Sequence, residues 1–328
     1  MAGIGDGPAD AGKMTISVIM PNYNYERYIG TAIESLQNQQ GFDDLGFDLQ
    51  IIVVDDGSTD DSWQKLEQMR SADPRIEVYR NERKKGESGT RNTGLSHARG
   101  DWFIYLDSDD LLSPHALSSL CQVIRDNPEC RFVAGDIQKV DPDGAAIDVP
   151  LFWPDNDVRK ALESRMQNGV AVIPDAVSFF FAVRFLVVMG NGLLHKDLVA
   201  RAQTFDENLT HAVDTDYNTR AALGESLYFI EEPILMYRQH SASVSRNTER
   251  RVEGTLEFIS DMRNDPSFSP YLDVSRDYYI RALDAAIYYH RETKNFARAR
   301  QLAFRGIAAA PGRMRSWKLA LASCLGQP

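Results

Sequence analysis

The sequence has no long hydrophobic run. No window approaches about 18 consecutive apolar positions, roughly the length at which a bilayer-crossing helix is considered. The densest apolar stretch, residues 179–189, is short and is interrupted by Arg184. We therefore expect no transmembrane helix, although 328 residues with a hydrophobic content of 43% are enough to form a large buried core.

Cysteine and positive charge are also scarce. The three cysteines are odd in number and lack the spacing of a metal site, which favours unbridged thiols in a reducing compartment such as the cytoplasm. Lys and Arg total 36 against 47 Asp and Glu, which gives a net charge of −11. Because nucleic-acid binding requires a basic surface that neutralises phosphates, this balance argues against a nucleic-acid partner.

The two ends of the chain differ from the rest in composition. Residues 1–14 are small and glycine-rich without the order of an export signal, and we interpret them as a flexible leader. From Arg250 onward the apolar spacing is helical, which predicts an all-helical C-terminal region over residues 246–328. Residues 291–318 of this region contain eight Lys or Arg and one Glu, so positive charge is concentrated there.

The last predicted helix carries apolar and basic residues side by side. The apolar residues Met314, Trp317, Leu321 and Leu325 recur at helical spacing next to the basic residues Arg313, Arg315 and Lys318. Two interpretations remain open. The helix either caps the fold with a solvated basic face, or it makes a peripheral contact with an anionic membrane such as the inner face of the cell membrane.

The first part of the chain alternates short apolar runs with helical patterns. Four runs are rich in β-branched or aromatic residues, as strands buried on both faces should be: residues 16–20, 49–54, 76–79 and 102–106. The segments between them carry apolar residues at helical spacing. This alternation predicts an α/β fold with a largely parallel sheet flanked by helices.

Three carboxylates follow the fourth run directly. Asp107, Asp109 and Asp110 lie within four residues. Like charges so close together repel each other unless a cation or hydroxyl donors share them. Mg²⁺ and Mn²⁺ bind through one or two carboxylates together with substrate phosphates, so the cluster predicts a divalent-cation site. The alternative for such a motif in isolation is a solvated acidic turn.

Polar residues also follow the first two runs, at the edge where ligands bind to an open α/β sheet. Residues 21–24 follow the first run, and the paired carboxylates Asp55 and Asp56 follow the second. Thr59 and Asp60 are residue types that commonly cap the start of a helix, and a helix follows them. Capping does not explain the pair Asp55 and Asp56. We therefore expect all of these side chains to meet at one rim of the sheet.

Two later segments carry further candidates. Arg91 lies in a glycine-punctuated segment, residues 86–95, where it would bind a base or phosphate oxygen or anchor the acidic rim. Asp214 and Asp216 lie at the start of a predicted helix, where the helix dipole favours a negative charge. This effect explains the presence of only one of the two carboxylates.

Four segments in this order carry a family resemblance: residues 16–24, 54–60, 90–95 and 106–110. Together they resemble the motifs of family 2 glycosyltransferases. The resemblance implies a GT-A-type fold over residues 15–245, followed by the helical C-terminal appendage. Residues 15–112 would form the nucleotide-binding half and residues 113–245 the acceptor-binding half.

The resemblance implies roles in nucleotide binding for five residues. Pro21 and Tyr23 would line the base pocket. Asp56 would accept a hydrogen bond from the N–H of a uracil-type ring, with Asp55 in support. Arg91 would meet the base or the phosphates.

The resemblance also implies a metal and diphosphate site. Asp107 would hold the ribose and Asp109 the cation, Mn²⁺ or Mg²⁺, with Asp110 assisting. Arg238 and His240 match a Tyr-Arg-x-His element of the family, in which the histidine approaches the metal or the diphosphate.

The general base implied by the resemblance is Asp214. In the family a Glu commonly precedes this Asp, and here the position is Val213. A sugar hydroxyl is a poor nucleophile, so a carboxylate that removes its proton on the face opposite the leaving group favours in-line displacement with inversion. The Gln-x-x-Arg-Trp element of processive synthases is missing, which favours the addition of a single sugar.

The sequence therefore predicts a metal-dependent inverting glycosyltransferase. It would move one sugar from a nucleotide-diphosphate donor, with a UDP-sugar favoured, to a hydroxyl of a glycan or lipid-linked acceptor in polysaccharide biosynthesis. Two alternatives remain. One is a sugar-nucleotide pyrophosphorylase, although the glycine-rich basic loop expected after the first strand is replaced here by residues 21–24. The other is a catalytically silent nucleotide-sugar-binding or assembly module, which Val213 favours.

Overall fold

The structure, a computed structural model, describes residues 13–42, 45–147, 149–152, 155–209, 211–240 and 248–324. The strands in these ranges are β1 (Met14–Asn22), β2 (Phe47–Asp55), β3 (Ile76–Arg80), β4 (Trp102–Tyr105), β5 (Leu111–Leu112), β6 (Phe132–Val140), β7 (Met166–Gln167), β8 (Val170–Ile173), β9 (Gly192–His195) and β10 (Leu227–Arg238). The helices are α1 (Ile29–Gln37), α2 (Ser62–Ala72), α3 (Glu87–His97), α4 (Ala116–Asp126), α5 (Asn156–Glu163), α6 (Ala176–Ala182), α7 (Lys196–Ala202), α8 (Val213–Ala221), α9 (Thr248–Asn264), α10 (Val274–Glu292), α11 (Phe296–Ala309) and α12 (Met314–Cys324).

The strands form one mixed sheet. Their order is β3-β2-β1-β4-β9-β6-β10-β8-β7, and β5 pairs with β10. The four strands predicted from the apolar runs are mutually parallel, as are β6 and β10. Between these two parallel groups, β9 runs antiparallel to both β4 and β6. The predicted α/β fold with a helix-flanked sheet is confirmed, and the antiparallel β9 is an addition to it.

The apolar runs become strands because both of their faces are covered. In β1, for example, Ile16, Val18, Ile19 and Met20 are all fully buried. Helix α1 turns Ile29, Ile33 and Leu36 towards the core, at the helical spacing that the sequence displays.

Two apolar runs of strand length, residues 228–230 and 234–236, predict two strands but form a single one. Residues 228–230 and 234–236 both belong to β10, whose pairing with β6 shifts register on either side of Pro233. Proline cannot donate a hydrogen bond to the ladder, so the interruption in the pattern marks an irregularity rather than a turn.

Helix α3 packs unusually close to β1, and this predicts opposite effects of two glycine substitutions. A Cβ at Gly94 would lie 2.5 Å from Cγ2 of Ile19, whereas a Cβ at Gly30 in α1 would meet nothing within 4 Å. Because the β-branched Ile19 is stiff, Gly94→Ala should lower the free energy of unfolding by about 1–3 kcal/mol. Gly30→Ala should raise it by roughly 0.5–1 kcal/mol. Urea unfolding of both variants tests this, and equal effects would contradict the close packing.

From Thr248 to Cys324 the C-terminal region consists of helices joined by short turns, as predicted, with a 3-10 helix (Pro266–Tyr271) between α9 and α10. It packs on the sheet domain through α6: the ring of Tyr278 lies 5.4 Å from that of Phe181 and 5.5 Å from that of Phe185. Arg281 donates a hydrogen bond to the backbone oxygen of Phe181 at 3.4 Å.

The domain boundaries stay predictions. Strand β1 begins at Met14, the last residue assigned to the leader, while residues 1–12 and 241–247 lie outside the described residues. In the ranges that the structure describes, none of the helices combines the length and the apolarity needed to span a membrane.

Candidate active site

A cleft of about 620 Å³ lies at the carboxyl ends of β1, β2 and β4. Seven of the predicted site residues line it: Pro21, Tyr23, Asp56, Arg91, Asp107, Asp109 and Asp214. The other three, Asp55, Arg238 and His240, are buried behind the lining and hydrogen-bond to it. The expectation that acidic residues from distant segments share one rim therefore agrees with their positions.

Asp55 organises the turn that follows β2. Its carboxylate accepts hydrogen bonds from the backbone N–H groups of Gly57 and Ser58 at 3.1 and 3.0 Å, and from Nδ2 of Asn22 at 3.0 Å. Arg80 pairs with it at 2.6 Å. All of these partners are protein groups, so the contacts explain how Asp55 supports the rim from beneath it.

Asp56 faces the cleft and ties its rim to the loop before α3. Its carboxylate accepts hydrogen bonds from Nδ2 of Asn81 at 2.6 Å and from the backbone N–H of Gly86 at 2.8 Å. Tyr23 lies at the same end of the cleft with 42% of its surface exposed, and Nζ of Lys85 lies 4.3 Å from its ring centroid. An exposed aromatic ring beside a carboxylate suits a planar base that carries an N–H donor.

Arg91 joins two carboxylates of the cleft. Its Nη2 donates to Oδ1 of Asp107 at 2.6 Å, and its Nη1 lies 3.3 Å from Oε2 of Glu87. The side chain is only 2% exposed, so its charge is held almost entirely by protein groups. Of the two roles expected for Arg91, the anchoring of the acidic rim is the one that these contacts display.

Asp109 is held by an aromatic and imidazole cluster. Nε2 of His240 lies 2.8 Å from its Oδ2, and the ring of His240 stacks on Tyr28 at 4.9 Å. Tyr25 donates a hydrogen bond to Asp109, and its own pKa is raised, first by burial and then by the charge of Asp109. Burial and then the charge of Asp107 raise the pKa of Asp109, while the His240 contact opposes this.

Arg238 secures the acidic loop from behind. Its backbone N–H donates to Oδ1 of Asp110 at 2.8 Å, and its Nε donates to the backbone oxygen of Asp109 at 2.6 Å. Its Nη1 donates to the backbone oxygen of Pro142. The guanidinium thus braces the loop, and its direct contact with a nucleotide sugar stays a prediction.

The two carboxylates in the first turn of α8, Asp214 and Asp216, have different surroundings. Asp216 pairs with Arg220 at 2.6 Å along the helix, which accounts for its charge. Asp214 lines the cleft beside Val213 and His211. The pKa of His211 is lowered, first by burial, and the charge of Asp214 opposes this. Asp214 is therefore the α8 carboxylate that can meet a ligand in the cleft.

Sequence reasoning missed several residues of the site. Glu87 and Arg250 line the cleft, and Arg250 comes from α9 of the C-terminal region. Tyr25 and Tyr28 support Asp109 and His240. The concentration of tyrosines directly after the first strand was a signal for the latter two, whereas no local pattern indicates Arg250.

The donor set fits a divalent cation that the substrate helps to hold. Asp107 and Asp109 both line the cleft, and the charge of the first raises the pKa of the second, as expected where carboxylates converge. Among the described residues no group of three or more His, Cys, Asp or Glu side chains is arranged to hold a metal. One or two carboxylates are the usual protein contribution when phosphates complete the coordination of Mg²⁺ or Mn²⁺.

The family model of glycosyl transferase family 2 matches residues 17–188 of the chain. A curated relative from Campylobacter jejuni, GalNAc(5)-diNAcBac-PP-undecaprenol beta-1,3-glucosyltransferase, is 28% identical over 309 residues, which cover 89% of this chain and 88% of that protein.

Two solved structures have a similar fold. S. aureus TarS 1-349 in complex with UDP-GlcNAc has a TM-score of 0.65 at 17% identity and covers 95% of this chain and 88% of its own. Mannosyltransferase PcManGT from Pyrobaculum calidifontis, in complex with GDP-Man and Mn2+, has a TM-score of 0.56 at 18% identity and covers 96% of this chain and 86% of its own. These likenesses confirm the predicted GT-A-type fold.

Proposed function

The chain belongs to glycosyl transferase family 2, and we propose that it is a metal-dependent, inverting hexosyltransferase that adds one sugar at a time. Its donor is a nucleotide-diphosphate sugar, with UDP as the favoured nucleotide. Its acceptor is a hydroxyl of a glycan or lipid-linked saccharide in polysaccharide biosynthesis. The observation that carries the proposal is the cleft in which Asp56, Asp107, Asp109 and Asp214 meet, although they come from three distant segments.

The nucleotide end of the cleft suits a uridine. Tyr23 offers a ring on which the base stacks, and Asp56 offers a carboxylate for the ring N–H. Asp107, fixed by Arg91 at 2.6 Å, is placed to accept from ribose hydroxyls. A TarS fragment of the same fold was solved in complex with UDP-GlcNAc, which supports the choice of nucleotide.

Asp109 is the residue that would hold Mn²⁺ or Mg²⁺, with the diphosphate oxygens as further ligands and His240 adjacent. Such a cation stabilises the negative charge that develops on the leaving nucleoside diphosphate. The Mn²⁺ in the PcManGT complex supports this assignment. The contacts of Asp109 with Tyr25, His240 and Arg238 keep its loop in place before a donor binds.

Asp214 is the general base of the proposed reaction. The acceptor hydroxyl approaches the anomeric carbon of the sugar while the carboxylate of Asp214 removes its proton. The oxygen of the acceptor forms the new bond, and the bond to the diphosphate breaks on the opposite face. A single displacement of this kind inverts the anomeric configuration.

Nucleotide-sugar hydrolysis tests the proposal against its alternatives. The wild-type protein with Mn²⁺ should release UDP from at least one donor in a panel of UDP-Glc, UDP-Gal, UDP-GlcNAc and GDP-Man. UDP binding without turnover of any donor, with or without candidate acceptors, would favour a silent binding module, to which the substitution at Val213 points. Formation of a nucleotide sugar from UTP and a sugar 1-phosphate would favour a pyrophosphorylase.

Helix α12 supports a peripheral membrane contact. It buries the small residues Ser316, Ala320 and Ser323 and exposes Met314, Trp317 and Leu321, the reverse of ordinary amphipathic packing. Arg315 and Lys318 on the same helix are also exposed. An exposed apolar stripe with basic neighbours suits the anionic face of a bilayer, so we place the protein in the cytoplasm at the inner surface of the membrane.

This placement predicts binding to anionic vesicles. The protein should co-sediment with phosphatidylserine-containing liposomes and not with neutral phosphatidylcholine liposomes. Because burial of one such side chain contributes about 1.5–3 kcal/mol, Trp317→Ala combined with Leu321→Ala should lower the affinity for these liposomes at least about tenfold. Ile147→Ala is the control, since Ile147 is an exposed apolar residue of the sheet domain. Binding that ignores both lipid charge and the double substitution would contradict the contact and favour a capping role for α12.

A further inference from the structure

Glu87 is a carboxylate of the cleft to which the proposed function assigns no role: it is not a nucleotide ligand, a metal ligand or the general base. It stands in the first turn of α3 and lines the cleft together with Asp107 and Asp214. Its side chain is 53% exposed. Its known contact is the 3.3 Å pair between Oε2 and Nη1 of Arg91.

Charged neighbours in the cleft act on the carboxylate of Glu87. Its pKa is raised, first by burial among the walls and then by the charges of both Asp107 and Asp214, while Arg91 and Arg250 oppose the shift. The geometry agrees with this, because Glu87 and Asp107 share the guanidinium of Arg91, at 3.3 and 2.6 Å. The carboxylate of Glu87 therefore lies near the proposed ribose ligand, and it lines the same cleft as the proposed base.

The proposed reaction places the transferred sugar next to Glu87. In an in-line displacement the sugar lies between the leaving diphosphate, near Asp107 and Asp109, and the acceptor hydroxyl at Asp214. Glu87 lies beside Asp107 through Arg91 and lines the cleft that also holds Asp214, so its position adjoins the sugar. A carboxylate offers about four acceptor positions, and the pair with Arg91 engages one oxygen, so Glu87 retains acceptor capacity that faces the cleft.

We propose that Glu87 is a specificity-determining residue that accepts hydrogen bonds from hydroxyl groups of the transferred sugar and selects neutral hexoses. A hexuronic acid would bring a further carboxylate next to Glu87, Asp107 and Asp214, and like charges at such distances disfavour binding. This proposal rests on the proposed function, because it assumes that the cleft holds a nucleotide sugar.

Binding measurements with the full chain and Mn²⁺ test the proposal. The variants are Glu87→Gln, which removes the charge, and Glu87→Ala, which removes the contact. In both, the affinity for UDP should stay within about twofold of the wild type, while the affinity for the preferred neutral UDP-hexose falls about 10- to 100-fold, as expected for a lost hydrogen bond to a charged group. UDP-glucuronate should bind Glu87→Gln more tightly than it binds the wild type.

The matched control is Glu163→Gln. Glu163 forms the same kind of i,i+4 pair with an arginine, Arg159, at 3.6 Å, and its side chain is 57% exposed, but it lies outside the cleft. This variant should bind UDP, the UDP-hexose and UDP-glucuronate as the wild type does. Thermal unfolding of all variants checks that they fold.

Two results would overturn the role of Glu87. An equal loss of affinity for UDP and for the UDP-hexose would mean that Glu87 only positions Arg91 and, through it, Asp107. If the Glu87 variants bind both UDP and the UDP-hexose with wild-type affinity, the sugar does not contact Glu87. Failure of the proposed function is seen in the wild type alone, which would then release UDP from none of the donors, whatever the Glu87 variants bind.

Discussion

Replacement of Asp214 by asparagine should lower the rate of sugar transfer at least about 100-fold and leave donor binding within about twofold of the wild type. The asparagine amide has nearly the same shape as the carboxylate but cannot take the proton of the acceptor hydroxyl. Asp214 lines the cleft in the first turn of α8, while the nucleotide end of the cleft is formed by the segments that follow β1, β2 and β4. The loss should therefore fall on turnover rather than on donor affinity.

Asp216→Asn is the matched control for this prediction. Asp216 lies in the same helical turn but pairs with Arg220 at 2.6 Å and does not line the cleft. Its variant should retain turnover within a few-fold, with thermal unfolding used to correct for any change in stability. The measurements are UDP release in the presence of acceptor and calorimetric binding of the donor. If Asp214→Asn transfers sugar at the wild-type rate, Asp214 is not the base.

Removal of the divalent cation should weaken UDP binding at least about tenfold. Asp109 would hold the cation, which would supply positive charge to the diphosphate, and loss of a charge-assisted contact of about 1.5–3 kcal/mol corresponds to about 10- to 100-fold in affinity. Calorimetric titration of UDP with Mn²⁺, and again after EDTA, measures the effect. Turnover should stop under the same conditions and return when Mn²⁺ or Mg²⁺ is added in excess.

Asp109→Asn should make the residual UDP binding insensitive to EDTA, because the variant lacks the carboxylate that would hold the cation in the proposed complex. Asp48→Asn is the control, since Asp48 lies near the start of β2, at the end of that strand opposite the cleft, and pairs with Lys13 on the surface. It should keep the full response to chelation. UDP binding by the wild type that EDTA does not change would remove the cation from the mechanism.

The parts of the fold and site that could be predicted from sequence are those encoded locally. Strands buried on both faces are continuous apolar runs, and in a parallel sheet the residues that follow them meet at one edge. For that reason the positions of Asp56, Asp107 and Asp109 followed from their place after a strand, and all three line the cleft. The role of Asp214 needed the family resemblance as well, because the carboxylate pair at the start of α8 is equally compatible with helix capping.

The parts that could not be predicted depend on contacts between distant segments. Arg250 reaches the cleft because α9 lies beside the sheet domain, and no spacing in the sequence indicates that placement. Arg238 belongs to a recognisable element, yet its guanidinium is directed to backbone oxygens behind the acidic loop. Local patterns show which side chains are polar, but the packing of the chain decides which way each one faces.

The contact between Arg238 and the acidic loop bears on the order in which the chain matures during synthesis. The backbone oxygen of Asp109 is held by a side chain that lies 129 positions later in the chain. A nascent chain therefore presents its three aspartates well before the ribosome has made the residue that braces them. The acidic loop is therefore braced late, when β10 has taken its place beside β6.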